Sequence, residues 1–244
     1  MPHFETCPLC GASPLRLQAN STYMCPGCDK AFSMGDLQTW YIKRSSPSAL
    51  EYICKRAHIS VRPITGIWEK TVSFGTGTVI APNGIMLTCA HVLTDAPSES
   101  GNVRNLCSSV SIQGDKDSVT DARILDICEP LDLALVQSER LSSVPPLPMA
   151  RKQAPVGAYI GVVGNGRGEG ISVLDGVVSD PTRLVNNREL MMISAPVTSG
   201  YSGGPVLDEK GRMVGMVTGG RTGETHMNYA IPIDVIMGYL QQKL

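Results

Sequence analysis

Between residues 62 and 232 the chain is a succession of about a dozen short apolar runs, each closed by a turn signal. Ile85–Thr88, Ile124–Ile127, Leu131–Gln137, Tyr159–Gly164, Val173–Ser179, Leu190–Ile193 and Met213–Val217 are examples. Runs this short and this evenly spaced fill one side of a β-strand but are too brief for an amphipathic helix. The composition agrees, with 25 Gly and 17 Pro against only 5% aromatic residues. The expectation is an all-β architecture of two packed barrels, with Pro145-Pro146-Leu147-Pro148 as the crossing between them. At the C-terminus Ile233, Ile236, Met237, Leu240 and Leu244 recur at helical spacing, which predicts a closing helix.

The first 35 residues read as a separate unit. Cys7-Pro8-Leu9-Cys10 and Cys25-Pro26-Gly27-Cys28 are two CxxC turns separated by fourteen residues. Each turn can offer two thiolates to one tetrahedral Zn²⁺, and a hairpin brings the turns together. The pattern resembles the zinc ribbon, which implies one structural zinc held by Cys7, Cys10, Cys25 and Cys28. So small a unit has too little core to fold alone, so metal binding would supply the folding free energy. Two disulfides are the alternative, and a thioredoxin-type motif lacks its βαβ context. Residues 36–61 then carry Leu37, Trp40 and Tyr41 at helical spacing, followed by a capping box at Ser48–Glu51 and a stripe of Leu50, Ile53, Cys54 and Ala57. The organisation expected is therefore 1–35 ribbon, 36–61 helical linker and 62–244 barrel domain.

A net charge of −1 gives no global field toward nucleic acid or anionic lipid. Residues 1–60 hold six Lys or Arg against four Asp or Glu, a balance that favours protein docking on the ribbon over nucleic-acid binding. No apolar run reaches about 18 residues, so no membrane span is expected. MPHFETCPLC has neither the basic start nor the apolar stretch of a signal peptide, so a cytoplasmic location is the expectation. In a reducing compartment the paired cysteines read as metal ligands and the other four as small core residues.

Histidine is scarce, so candidate bases are few: His3, His58, His91 and His226. Only His91 ends a strand-like run, in SFGTGTVIAPNGIMLTCAHVL, after a Pro82-Asn83-Gly84 turn. GYSGGPV, residues 200–206, places a hydroxyl between glycines that let backbone N–H groups approach a ligand. Taken alone it reads equally as a tight turn between strands. GVVGNGRGEG, residues 161–170, lacks the spacing and the following helix of a dinucleotide site and reads as a flexible loop beside the active site.

Together Thr88-Cys89-Ala90-His91, EPLDLALVQ around Asp132, and GYSGGPV resemble the three motifs of trypsin-like serine peptidases, in the order His…Asp…Ser. Val162-Val163-Gly164-Asn165-Gly166, Gly176-Val177-Val178-Ser179 and Asn228-Tyr229-Ala230-Ile231-Pro232 resemble the HtrA/Deg type in particular. The resemblance implies two six-stranded chymotrypsin-like barrels with a C-terminal helix, and cleavage of protein or peptide substrates. It implies Ser202 as nucleophile, His91 as general base and Asp132 as orienting acid. The N–H groups of Gly200 and Ser202 would form the oxyanion hole. Asp126 is the rival acid, without the Leu-Ala-Leu context. By alignment the specificity pocket falls at Pro196, Thr218, Gly219, Gly220 and Met227, with no carboxylate placed for Arg or Lys, so an apolar residue of small or medium size is expected there. Two departures stand out. Tyr201 occupies the position of the activating Asp, which argues against activation by a cut N-terminus, and Val92 replaces the Cys that usually follows the base. The functional expectation is a regulatory or defence-type processing serine endopeptidase recruited through its ribbon. The alternative is a catalytically silent zinc-ribbon/trypsin-fold adaptor.

Overall fold

The computed structural model describes residues 7, 15–18, 20–37, 49–94, 105–114, 118–220 and 227–244. Two compact units result, Met1–Ser48 and Ala49–Leu244. In the first, β1 (Arg16–Leu17), β2 (Tyr23–Met24) and β3 (Ala31–Phe32) pair antiparallel in that order. A helical turn at 34–37 follows, capped by Ser33, whose hydroxyl donates to Asp36 at 2.7 Å while accepting the Asp36 N–H at 3.1 Å. Leu37 is buried with Cys7, Leu15 and Cys25 in a core of its own. The helical spacing that extends to Trp40 and Tyr41, and the capping box at Ser48, run into residues outside those described.

The second unit opens with helix α1 (Ala49–Ser60), whose Ile53 and Ala57 are fully buried. Ile53 and Leu50 rest on Gly161, where a Cβ would lie 2.9 Å from Ile53. The expected apolar stripe therefore belongs to the barrel unit, with Ser60 donating its hydroxyl to the Pro145 carbonyl at 2.7 Å.

Among the described residues, twelve strands follow. The first barrel closes in the order β4 (Val61–Ile67), β5 (Val72–Ala81), β6 (Ile85–Thr88), β9 (Leu133–Gln137), β8 (Val119–Cys128) and β7 (Ser109–Gln113). The second repeats that order with β10 (Tyr159–Asn165), β11 (Ile171–Val185), β12 (Arg188–Ile193), β15 (Asn228–Pro232), β14 (Met213–Gly220) and β13 (Pro205–Leu207). Closure leaves neither barrel an open edge. Two six-stranded barrels and a C-terminal helix are thus the observed fold. The Pro-rich segment makes the crossing, with Leu147 buried and its N–H donated to Val79 O at 2.9 Å.

The runs around residues 72–80 merge into one strand, and Asn83 and Gly84 take φ of 63° and 69° to turn the chain into β6. Helix α2 (Ala90–Leu93) is a single turn, and α3 (Ile233–Lys243) closes the chain. On α3 the buried residues are Ile233, Ile236, Tyr239 and Leu240, while Met237 and Leu244 are 36% and 64% exposed. The apolar face is rotated from the expected one because Tyr239 reaches inward to bond Asp126, and Leu244 lies past the helix end.

Candidate active site

Strand β6 ends at Thr88, and the turn of α2 lifts His91 half out of the core. Its partner arrives from the start of β9. Asp132 has φ of 57°, a left-handed conformation costing about 1 kcal/mol that aspartate tolerates better than most residues. The turn is tied by Asp132 N–H to Glu129 O at 3.1 Å and by Ala90 N–H to Asp132 O at 3.2 Å. The carboxylate then faces His91 Nδ1 at 3.0 Å from Oδ1 and 2.9 Å from Oδ2, and Oδ1 also accepts the His91 backbone N–H at 3.0 Å. Thr218 donates its hydroxyl to Oδ2. Burial alone would raise this carboxyl. The His91 hydrogen bond and charge, the Thr218 hydroxyl and the His91 N–H outweigh it, so its pKa lies below the ordinary carboxylate value.

The strand that brings Thr218 also brings the serine turn. Val217 O accepts both the Gly203 N–H at 2.9 Å and the Cys89 thiol at 3.1 Å, which joins the second barrel to the His91 segment. Burial pushes the Cys89 thiol well above its usual range, with Asp132 adding to the shift, so it is a neutral packing group rather than a nucleophile.

The 200–204 turn is held from several sides. Gly200 has φ of 94°, and a Cβ there would lie 2.1 Å from Asn165 O, so only glycine fits. Ser199 O accepts the Arg167 N–H, and Tyr201 O accepts the Gly204 N–H, both at 2.8 Å. Because a peptide is planar and trans, pinning those carbonyls points the Gly200 and Ser202 N–H groups the opposite way. Neither N–H has an acceptor among the described residues. Thr76 adds two clamps, its hydroxyl donating to Gly200 O and its N–H to Ser202 O, each at 2.8 Å. Ser202 is half-buried, and its hydroxyl makes no hydrogen bond among the described residues. Serine–imidazole links often tighten only with substrate present.

Tyr201 points away from the site and is 3% exposed. Its ring fills the slot under Gly164 and Gly166, where Cβ atoms would lie 2.6 and 2.9 Å from it, and its hydroxyl meets Ser172 Oγ at 2.7 Å. The 166–170 loop is therefore clasped to the serine turn rather than loose, with Gly170 N–H donated to Asn165 Oδ1 at 2.9 Å.

The rival acid has another task. Asp126 accepts bonds from Lys243 Nζ and the Tyr239 hydroxyl, both at 2.7 Å, and so fastens α3 to β8. His58 is exposed on α1, and His3 and His226 lie outside the described residues.

This geometry has close relatives. The family model of the trypsin-like peptidase domain matches residues 75–216, more than half the chain. The chain belongs to the trypsin-like peptidases. It is 31% identical to the human peroxisomal leader peptide-processing protease, over 69% of this chain and 31% of that one. It is 27% identical to the serine endoprotease DegS of Haemophilus influenzae, over 70% and 50% respectively. It thus spans half or less of these relatives' length. Two solved structures share the fold at a TM-score of 0.69. One is a serine endoprotease from Yersinia pestis, with 18% identity over 81% of this chain and 67% of that one. The other is an HtrA-type protease AlgW with a tripeptide, with 22% identity over 80% and 63%.

Within this trypsin-like domain, one cleft adjoins the His91–Asp132 pair and a second shares Asn186, Arg188 and Thr218 with it. The first, of about 640 Å³, is bounded by His91, Glu129, Asp132, Asn187 and Thr218 among others, and the second, of about 430 Å³, by Leu190, Thr218, Gly219, Gly220 and Tyr229. Thr218 therefore lines both clefts, and Gly219 and Gly220 the second. Pro196 is exposed and Met227 half-buried, and neither lines these two clefts. A larger cleft of about 890 Å³ lies on the second barrel between Met149–Tyr159 and Asp208–Val214, without a histidine or a cysteine. Thr76 and Thr218, one holding the turn and the other the acid, carry no motif, since a threonine on a strand is unremarkable until its neighbour is known. Arg188 was likewise unmarked in the sequence. Its guanidinium stands 3.8 Å from Asp132 Oδ2, and the Asn186-Asn187 turn just before it was the available signal.

In the N-terminal unit, Cys7, Cys25 and Cys28 bring their sulfurs within 4.8 Å of one another. Cys7 and Cys28 lie 3.8 Å apart, the spacing of about 3.8 Å that tetrahedral ligands at about 2.3 Å from zinc require. The Gly27 N–H approaches Cys25 Sγ at 3.3 Å, an interaction that favours a thiolate. The three are unlinked by disulfides, and the donor set fits zinc. Cys10, the fourth ligand expected, lies outside the described residues.

Proposed function

We propose that the chain is a serine endopeptidase working through His91, Asp132 and Ser202. Ser202 Oγ attacks the substrate carbonyl as His91 Nε2 takes its proton, and His91 then protonates the leaving amine. Asp132, accepting from Nδ1–H, fixes the tautomer and stabilises the imidazolium. The oxyanion meets the N–H groups of Gly200 and Ser202, a donor of this kind being worth about 3 kcal/mol. The observation that carries this reading is the buried carboxylate at 2.9 Å from His91 Nδ1, opposite a serine turn whose two N–H groups are held open. Since the turn is pinned by Arg167, Thr76 and Tyr201, the oxyanion site is formed in the resting protein, with no N-terminal cut needed. Thr218, Gly219 and Gly220 would form the wall of the specificity pocket, for an apolar side chain of small or medium size, with Pro196 and Met227 outside it.

The N-terminal unit would hold one structural zinc through Cys7, Cys10, Cys25 and Cys28 and dock a protein partner, recruiting a processing protease to its target. Bound zinc would supply the cross-link that so small a core lacks. The test is cleavage of an unfolded protein pool by the wild type and by Ser202→Ala. Cleavage confined to the wild type is expected. An inert wild-type protein that is folded and metal-loaded would favour the silent adaptor, and cleavage retained in the variant would remove Ser202 from the mechanism.

A further inference from the structure

Strand β11 ends at Val185 and β12 starts at Arg188, with Val185 and Arg188 paired across a two-residue turn. Asn186 and Asn187 take φ of 49° and 61°, the left-handed pair that such a tight hairpin needs. The turn delivers Arg188 to the middle of the groove beside the base, where it lines both adjoining clefts together with Asn186 and Thr218.

Its charge is under-used. The ion pair with Asp132 spans 3.8 Å, beyond hydrogen-bond range, and the Arg188 side chain is 35% exposed against 5% for Asp132. Asp132 has little to offer it, since His91 and Thr218 already occupy both carboxylate oxygens. Among the described residues the guanidinium donates no hydrogen bond, so up to five N–H donors face the groove. Among the described residues on that cleft wall, Glu129 and Asp132 are the carboxylates near the guanidinium. Leaving so polar a group without a hydrogen-bond acceptor in a groove that closes over a peptide would carry a desolvation cost.

We propose that Arg188 is a specificity residue that receives a carboxylate side chain of the substrate within a few residues of the scissile bond. The inference rests on the peptidase reading and names a substrate class for it, peptides with Asp or Glu in the groove position. An acidic side chain accepts a bidentate pair from the guanidinium, which an amide of the same shape cannot match. It also offsets the positive charge beside Asp132, so acidic substrates gain in turnover as well as in affinity.

The test has two arms. In the first, a random peptide pool is digested and the cleavage sites are mapped. Asp and Glu should exceed Asn and Gln roughly tenfold or more at one position near the cut. Arg188→Gln should bring that ratio close to one, and Arg188→Glu should shift the preference toward Lys and Arg. The ratio within one variant cancels any general change at the triad, which a purely structural Arg188 would alter for all substrates alike. No acidic preference in the wild type, or one that survives in Arg188→Gln, overturns the proposal. In the second arm, Ser202→Ala protein is titrated with blocked peptide pairs that differ only by Asp or Asn. Tighter binding of the Asp form, lost on adding Arg188→Gln, supports the proposal, and equal binding overturns it even in a protein that proves unable to cleave. Failure to cleave any peptide would count against the peptidase reading itself, so the two failures are told apart.

Discussion

Asp132 concentrates the electrostatics of the site into one side chain. It is buried, takes a left-handed backbone and accepts from His91 twice and from Thr218. Asp132→Asn should leave the fold intact but lower kcat by about 10⁴, because the amide favours the wrong imidazole tautomer. Activity within tenfold of wild type would contradict the role. The depressed pKa has a second consequence. A carboxyl whose folded pKa lies below its unfolded value of about 4 stabilises the fold above that pH, and this contribution is lost as pH falls through the folded pKa. Thermal melts should therefore fall more steeply on the acid side for the wild type than for Asp132→Asn. Parallel curves would show that the carboxylate adds nothing to acid stability. None of this was visible beyond the EPLDLALVQ string. That motif located the acid, but Thr218 and Arg188 reach it from strands 86 and 56 residues away, a relation set by barrel closure.

Several elements were legible because their apolar residues run together between clear turn signals, as in Ile85–Thr88, whose span the structure reproduces. β7 was not, since in Ser109–Gln113 only Val110 and Ile112 are apolar and buried, set singly among two serines and a glutamine. β11 extends to Val185, well past the apolar run that marks its start, because the ladder to β12 carries exposed polar residues beyond the core. The loop at 166–170 was read as flexible, and the difference lies in Tyr201. Two glycines of β10 and the turn after it, Gly164 and Gly166, open the slot for its ring, and that packing appears only when three segments meet. Tyr201→Phe should cost about 1 kcal/mol, the worth of the Ser172 hydrogen bond. Tyr201→Ala should cost about 3–5 kcal/mol by emptying the slot, and should lower kcat more than it raises KM as the turn loosens. Chemical denaturation and steady-state kinetics would check both, and an unchanged kcat in Tyr201→Ala would disconnect the slot from the oxyanion turn.

At the level of the whole molecule, two units of unequal self-sufficiency share one chain. The barrel unit has extensive cores of its own, whereas the N-terminal unit buries little besides Cys7, Leu15, Cys25 and Leu37. Metal analysis should find about one zinc per chain, lowered by Cys25→Ser, and a chelator should melt the small unit while the barrels persist. Zinc content unaffected by Cys25→Ser would remove the metal site. The paired CxxC strings and the three peptidase motifs were readable, since spacing along the chain marks them, whereas the boundary at Ser48/Ala49 was not. The tasks of Arg188, Thr76 and Tyr201 were not, since they depend on contacts across the barrel junction. If the Ser202 hydroxyl is a nucleophile activated by His91, it should react with a fluorophosphonate. Peptide mapping is then expected to find one label per chain, on Ser202, lost in His91→Ala. A folded, zinc-loaded protein that takes up no label, or takes it up equally without His91, would contradict that activation.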